Sequence, residues 1–119
     1  MKILIIGNQP VAQRRAHIIR AWKTGKPEAA ARLDLESPEG AWKLLNAKRW
    51  AILRAMAGQG PLAIREIARR VKRDVRAVHS SDVRALHLSG LIDKTPEGKM
   101  VLPYDVIRLD FTLDTQKAA

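Results

Sequence analysis

The chain is 119 residues long with 46% hydrophobic content, enough for one domain with a buried core, or a small domain with an appended pairing element. Lys plus Arg number 22 against 12 Asp plus Glu, a formal charge of +10 that favours polyanionic partners such as DNA, RNA or an anionic membrane. Cysteine is absent, which excludes disulfides, thiolate metal sites and cysteine nucleophiles and suits a reducing cytoplasm; the longest apolar run, Ile3 to Ile6, is far too short to cross a bilayer or serve as a secretion-signal core.

Lys2 to Ile6 is a β-branched-rich run closed by Gly7 and Asn8, the pattern of a strand apolar on nearly both faces. Pro10 to Trp22 follows with Val11, Arg15, Ile18, Ile19 and Trp22 at helical spacing, and Gly25 and Pro27 stop it. Arg32 to Glu36 alternates Leu33 and Leu35 with charged residues, which predicts a half-buried strand. Ser37 and Pro38 then open a short helix with Ala41, Leu44 and Leu45 on one face. Asn46 is placed to cap the next helix, Ala47 to Ala57, whose Trp50, Leu53 and Met56 face inward while Lys48, Arg49 and Arg54 lie off that stripe.

Leu62 suits a one-residue strand bridge before a two-turn helix, Ile64 to Val71, with Ile67, Ala68 and Val71 inward and Arg65, Arg69 and Arg70 outward. Ala63 is a poor N-cap, costing about 1 kcal/mol relative to Ser, an amount offset in part if Glu66 reaches back as half of a capping box. Lys72 and Arg73 make a turn, Asp74 caps the helix that runs to Leu88, and Gly90 ends it. Leu91 to Lys94 and Lys99 to Leu102 read as a two-stranded wing around Thr95, Pro96, Glu97 and Gly98. Asp105 to Leu113 resumes strand alternation and needs a partner outside the wing, which the N-terminal strands of the same chain or of a second copy can supply. Asp114 to Ala119 is expected to be a frayed tail.

At 100° per residue, Val75, Val78, Ala85 and Leu86 form the core face of the helix after Asp74, with His79 and Val83 at its edge. The opposite face carries Arg76, Ala77, Ser80, Arg84 and His87, with Arg73 aimed the same way. Arg forks match the paired acceptors of guanine in the DNA major groove, and Ala and Ser allow close approach of the backbone. Exposed Arg on a helix is common, so the local balance decides between a merely solvated face and a contact face. From Ile64 to Arg76 six basic residues stand against Glu66 and Asp74, and a solvated face is usually mixed in sign. Asp82 falls on the core face, where a lone carboxylate is costly, and is expected to cap backbone amides or pair with a basic residue of a neighbouring helix.

No catalytic site, cofactor or metal is expected. His79 and His87 fall on different faces of their helix, His79 reads as a core-edge residue and His17 as a surface one, and no phosphate-binding glycine loop or HExxH motif occurs. Trp22 and Trp50 lie on apolar stripes, leaving few aromatic residues to stack on single-stranded bases. The basic helices carry no large exposed apolar face, so a membrane partner is not expected.

The segments AKRWAILRAM, PLAIREIARRVKRDVRAVHSSDVRAL, SGLIDKT and PYDVIRLDF resemble a family of small prokaryotic winged-helix DNA-binding transcriptional regulators related to the MarR and ArsR types, over about the last two-thirds of the chain. This sequence departs from that pattern at Ala63, where Ser or Thr is usual, at Lys72, where Gly is frequent, and at His87, Leu88 and Ser89, which leave Leu88 facing solvent unless the helix tightens or a second subunit covers it. The resemblance implies a repressor, and some members of the family act as antitoxins beside a toxin gene.

The expected fold is α+β: an N-terminal strand-helix-strand element for pairing or dimerisation over 1–36, a winged helix-turn-helix over 37–104, and a C-terminal strand and tail over 105–119. The expected function is a homodimeric, cytoplasmic regulator of double-stranded DNA contacting it through Arg65, Arg69, Lys72, Arg73, Arg76, Ala77, Ser80, Arg84, Lys94 and Lys99. The alternative is an antitoxin-type protein that neutralises a toxin partner and autoregulates through DNA.

Overall fold

Ile3 to Gly7 supply the middle strand of a parallel sheet because their side chains are apolar on both sides of the pleat: Leu4 and Ile6 are buried, while Ile3 and Ile5 are half-buried on the other face. The structure, a computed structural model, describes residues 2–8, 30–35, 37–112 and 115–116. The helix expected from Pro10 to Trp22, with His17 and Trp22, lies outside the described residues. So do Glu36 and Leu113, at the ends of two expected strands, and most of the expected tail.

The described residues form an α+β chain that divides into two units, one of Met1–Ala41 with Val106–Ala119 and the other of Trp42–Asp105. In the first, strand β1 (Ile3–Gly7) lies between β2 (Ala30–Asp34) and a later strand, β5 (Val106–Asp110), with every pairing parallel. The C-terminal strand therefore finds its partner in the same chain and belongs with the N-terminal strands. It is also shorter than its alternation suggests, and as an edge strand it leaves Val106 and Leu109 exposed. Gly7 is required where β1 and β5 run together, because a Cβ there would stand 2.6 Å from the Asp110 carbonyl oxygen. One residue on, the Asn8 side chain extends the pairing: its Nδ2 donates to the Thr112 carbonyl at 3.1 Å and its Oδ1 accepts from the Thr112 N–H at 3.3 Å.

The second unit is built from helices and a short hairpin. Helix α1 (Pro38–Leu44) crosses the boundary at Ala41, and α2 (Ala47–Met56) follows, its first turn capped by Asn46, whose Oδ1 accepts the Arg49 N–H at 2.9 Å. Ile52, Leu53 and Met56 are the buried side chains of α2; Trp50 is only half-buried. Helix α3 (Ile64–Val71) buries Ile67 and Ala68. Ala63 offers it no side-chain cap, and Glu66 does not supply the other half of a capping box, because its carboxylate is taken by Arg69 and Arg70.

Asp74 opens the next helix as expected, its Oδ2 accepting from the N–H groups of Arg76 and Ala77 at 3.1 and 3.2 Å. This helix is not regular. After α4 (Val75–Ala77) it passes through a π-helical stretch (Val78–Val83), closed by the Arg84 N–H donating to the His79 carbonyl five residues back, and resumes as α5 (Arg84–Leu88). A π turn carries more residues than an α turn, so the 100° wheel fails across it. The buried set is Val78, Asp82, Val83 and Leu86; Val75 and His79, expected in the core or at its edge, are exposed. Leu88 is 75% exposed.

Leu62 pairs with Met100 through mutual hydrogen bonds of 2.7 and 2.8 Å, and β3 (Asp93–Lys94) runs antiparallel to β4 (Met100–Val101), a hairpin shorter than expected. Leu91, Ile92 and Met100 seat it on the core of Ile52, Met56, Ile67, Val78 and Leu86.

The two helix ends use one motif with different residues. After α5, Leu91 N–H reaches the Leu86 carbonyl and Gly90 N–H that of His87, with Gly90 at φ +88°. After α3, Arg73 N–H reaches Ala68 and Lys72 N–H reaches Arg69, but the left-handed position is Lys72 at φ +56°. A side chain there costs about 1 kcal/mol relative to glycine. Lys72→Gly is therefore expected to raise unfolding stability by about that amount in urea denaturation; an unchanged midpoint would show that Lys72 carries no strain.

Candidate functional site

Three elements of the second unit bring cationic side chains to common concavities. The first, about 430 Å³, is lined by Arg65 of α3, Arg76 and His79 of the 75–88 helix, and Lys99 of the hairpin, with Val75 and Ile64 as apolar walls and Glu97 as its one carboxylate. The second, about 220 Å³, lies between the π stretch and the hairpin and is lined by His79, Ser80, Arg84, His87 and Lys94 over Ile64, Val83 and Met100. His79 belongs to both. The structure thus gathers Arg65, Arg76 and Lys99 in one place and Ser80, Arg84 and Lys94 in another. Ala77 and Lys72 are exposed but line neither.

Pairing separates the cations into two sets. Arg69 and Arg70 share Glu66, with Nε–O distances of 2.9 Å each, and Arg70 also reaches Gln59 Oε1 at 3.0 Å. Among the described residues, Arg65, Lys72, Arg76, Arg84, Lys94 and Lys99 are exposed and make no ion pair.

Arg73 departs from expectation. It was placed on the outward face with Arg76, but its Nη1 lies 2.6 Å from Asp82 Oδ2, a close ion pair with angles unlike those of a directed hydrogen bond, and the side chain is about three-quarters buried. The cause is Asp82, which sits on the core face as expected, at 3% exposure, and needs counter-charge. Its other oxygen accepts from Arg49 Nε at 3.1 Å, and Arg49 Nη1 donates to the carbonyls of Lys43 and Leu44, which are otherwise open groups at the end of α1. Arg49 was placed off the apolar stripe of its helix, with no partner named for it. The signal that it is structural was Asp82 itself, a carboxylate on an apolar face.

The Arg69 and Arg70 side chains hydrogen-bonded to Glu66 lower its pKa from an ordinary 4.5 to about 2, and the same contact raises that of Arg69. Because the folded value is the lower one, the stability this pair contributes is present above pH 4.5 and is lost as pH falls toward 2. Glu66 keeps 31% of its side-chain surface exposed, so salt screens the effect. A carboxyl-carbon NMR titration should place the Glu66 midpoint near 2 at low salt, moving upward in Arg69→Ala; a midpoint near 4.5 in the parent chain would contradict the pairing.

Among the described residues no group of three or more His, Cys, Asp or Glu is arranged to hold a metal ion, and no helix is long and apolar enough to cross a membrane. His79 and His87, expected on different faces, line one cavity because the π turn displaces His79 toward the hairpin side.

These features define an α+β chain in which α3, the 75–88 helix and the hairpin bring six exposed, unpaired cations to one part of the second unit. The chain belongs to the HVO_A0114 family, whose model matches residues 44–109, more than half of its length and nearly all of the second unit. Neither a curated protein nor a solved structure matches it.

Proposed function

We propose that the protein is a sequence-specific regulator of transcription that binds double-stranded DNA as a homodimer and acts as a repressor in the cytoplasm. In this reading α3, the turn at Lys72 and the 75–88 helix form a helix-turn-helix, and the β3–β4 hairpin is its wing. The carrying observation is the convergence of Arg65, Arg76 and Lys99 about one concavity and of Arg84 and Lys94 about the next, all exposed and without a carboxylate partner. Elsewhere in the same unit the chain does pair cations, at Glu66 and at Asp82. Cations left free across three elements suit a polyanion that spans them.

The roles divide by geometry. Arg76, Ala77 and Ser80 are carried on the helix proposed to enter the major groove and reach base edges; Arg65, Lys72, Arg84, Lys94 and Lys99 contact flanking phosphates. Arg69 contributes less, since Glu66 already engages it, and Arg73 acts by holding Asp82 and the turn. Selection of bound fragments from a random duplex library tests the reading. The expected product is a palindromic site whose half-sites lie one helical turn apart; no enrichment over the input library would reject it.

A further inference from the structure

We propose that the 220 Å³ cavity between the π stretch and the hairpin is a binding site for a phosphate group. Its size speaks first. It is smaller than the roughly 300 Å³ at which sites for whole drug-sized molecules begin, and it suits a tetrahedral oxyanion. Its chemistry is one-sided: Arg84 and Lys94 face it from helix and hairpin, His79 and His87 add ring donors, and no carboxylate lines it.

Among the described residues the side chains of Arg84, Lys94, His79 and His87 make no hydrogen bond or ion pair, so these donors are not already engaged. The Ser80 hydroxyl donates to the Arg76 carbonyl at 2.8 Å, so its proton is already committed and is not one of the cavity's donors. The floor of Ile64, Val83 and Met100 is apolar, with Val83 and Met100 buried, so a bound anion meets one side from which water is excluded.

The π turn is the part of the fold that builds this arrangement. It closes through Arg84 N–H and the His79 carbonyl, which stacks those two residues at one end of the row that continues to His87. A regular helix was expected to hold His79 at the edge of the core face. π turns are concentrated at functional sites in proteins generally, and here the irregular turn carries two of the cavity's donors.

The group can come from the backbone of a nucleic acid or from a small phosphorylated ligand, and the site does not depend on the DNA reading. The test is a titration of the full-length protein with inorganic phosphate, followed by amide chemical shifts at constant ionic strength against matched chloride. Saturable shifts centred on His79, Arg84, His87 and Lys94 are expected. Arg84→Gln and Lys94→Gln should each weaken phosphate binding about tenfold, the loss of one charge-assisted hydrogen bond, while Lys48→Gln, an exposed cation on α2, should leave it unchanged. Thermal denaturation of each variant confirms that it folds.

Adding a short duplex then identifies the source. Release of phosphate assigns the pocket to the nucleic-acid backbone, and retention assigns it to a small phosphorylated ligand; both support the site. Shifts that fail to saturate, or equal affinity in the parent, Arg84→Gln and Lys94→Gln proteins, would overturn it. Saturable phosphate binding with no duplex binding rejects the DNA reading and leaves this site standing. Duplex binding without saturable phosphate does the reverse.

Discussion

Asp82→Ala is expected to destabilise the protein by about 3 kcal/mol, lowering the thermal midpoint on the order of 10–20 °C. The carboxylate is 3% exposed and is the shared counter-charge for two guanidiniums, Arg49 of α2 and Arg73 of the turn. Its removal leaves two cations facing each other across the site of the lost anion. Breaking a buried pair usually costs about 3–5 kcal/mol; the lower end applies because Arg49 and Arg73 retain 17% and 24% of their side-chain surface in water. Against a total of about 5–15 kcal/mol for a small domain, that loss is large. Asp82→Asn keeps a hydrogen-bonding group of the same shape and should lose less. Denaturation of the three proteins side by side decides the point, and equal stability of all three would mean that Asp82 does not hold the helices together.

The second large effect concerns DNA. Arg76→Ala should weaken binding to the selected site by about 1–3 kcal/mol, roughly 5- to 150-fold, while leaving affinity for unrelated sequence nearly intact. Lys99→Ala should weaken both alike and reduce the slope of log affinity against log salt by about 1, as expected for a lost phosphate contact. Competition binding at several salt concentrations separates the two. Equal losses on specific and unrelated DNA in both variants would remove the assignment of base reading to the helix and backbone gripping to the hairpin.

Much of the second unit was legible in its sequence because the controlling chemistry is local. Asn46, Asp74 and Gly90 act within a few residues of themselves, and each does what its type predicts. Asp82 announced that it needed a partner. It could not name one, since Arg49 lies 33 residues away and only the packed helices bring it near. The direction of Arg73 was lost for the same reason: once Asp82 turns inward, the nearest cation follows it.

The π stretch was not legible at all. A wheel at 100° per residue presumes a regular helix, and the presumption misplaced Val75, His79 and Val83 together. The sheet was legible as strands, with the N-terminal ones as partners for the last, but alternation could not choose between the same chain and a second copy or give the parallel direction, because β1 and β5 pair across about a hundred residues. At the candidate site, Arg65, Arg76 and Lys99 were individually readable as outward cations. Their convergence came only from the way Leu62 and Met100 pin the hairpin beside α3 and the 75–88 helix.

Chemical-shift mapping of the labelled protein with its selected duplex tests the central claim most directly. The account predicts perturbations concentrated on Arg65, Arg76, Ser80, Arg84, Lys94 and Lys99, with the sheet of β1, β2 and β5 silent. Shifts confined to that sheet, or absent from the 75–88 helix, would contradict it.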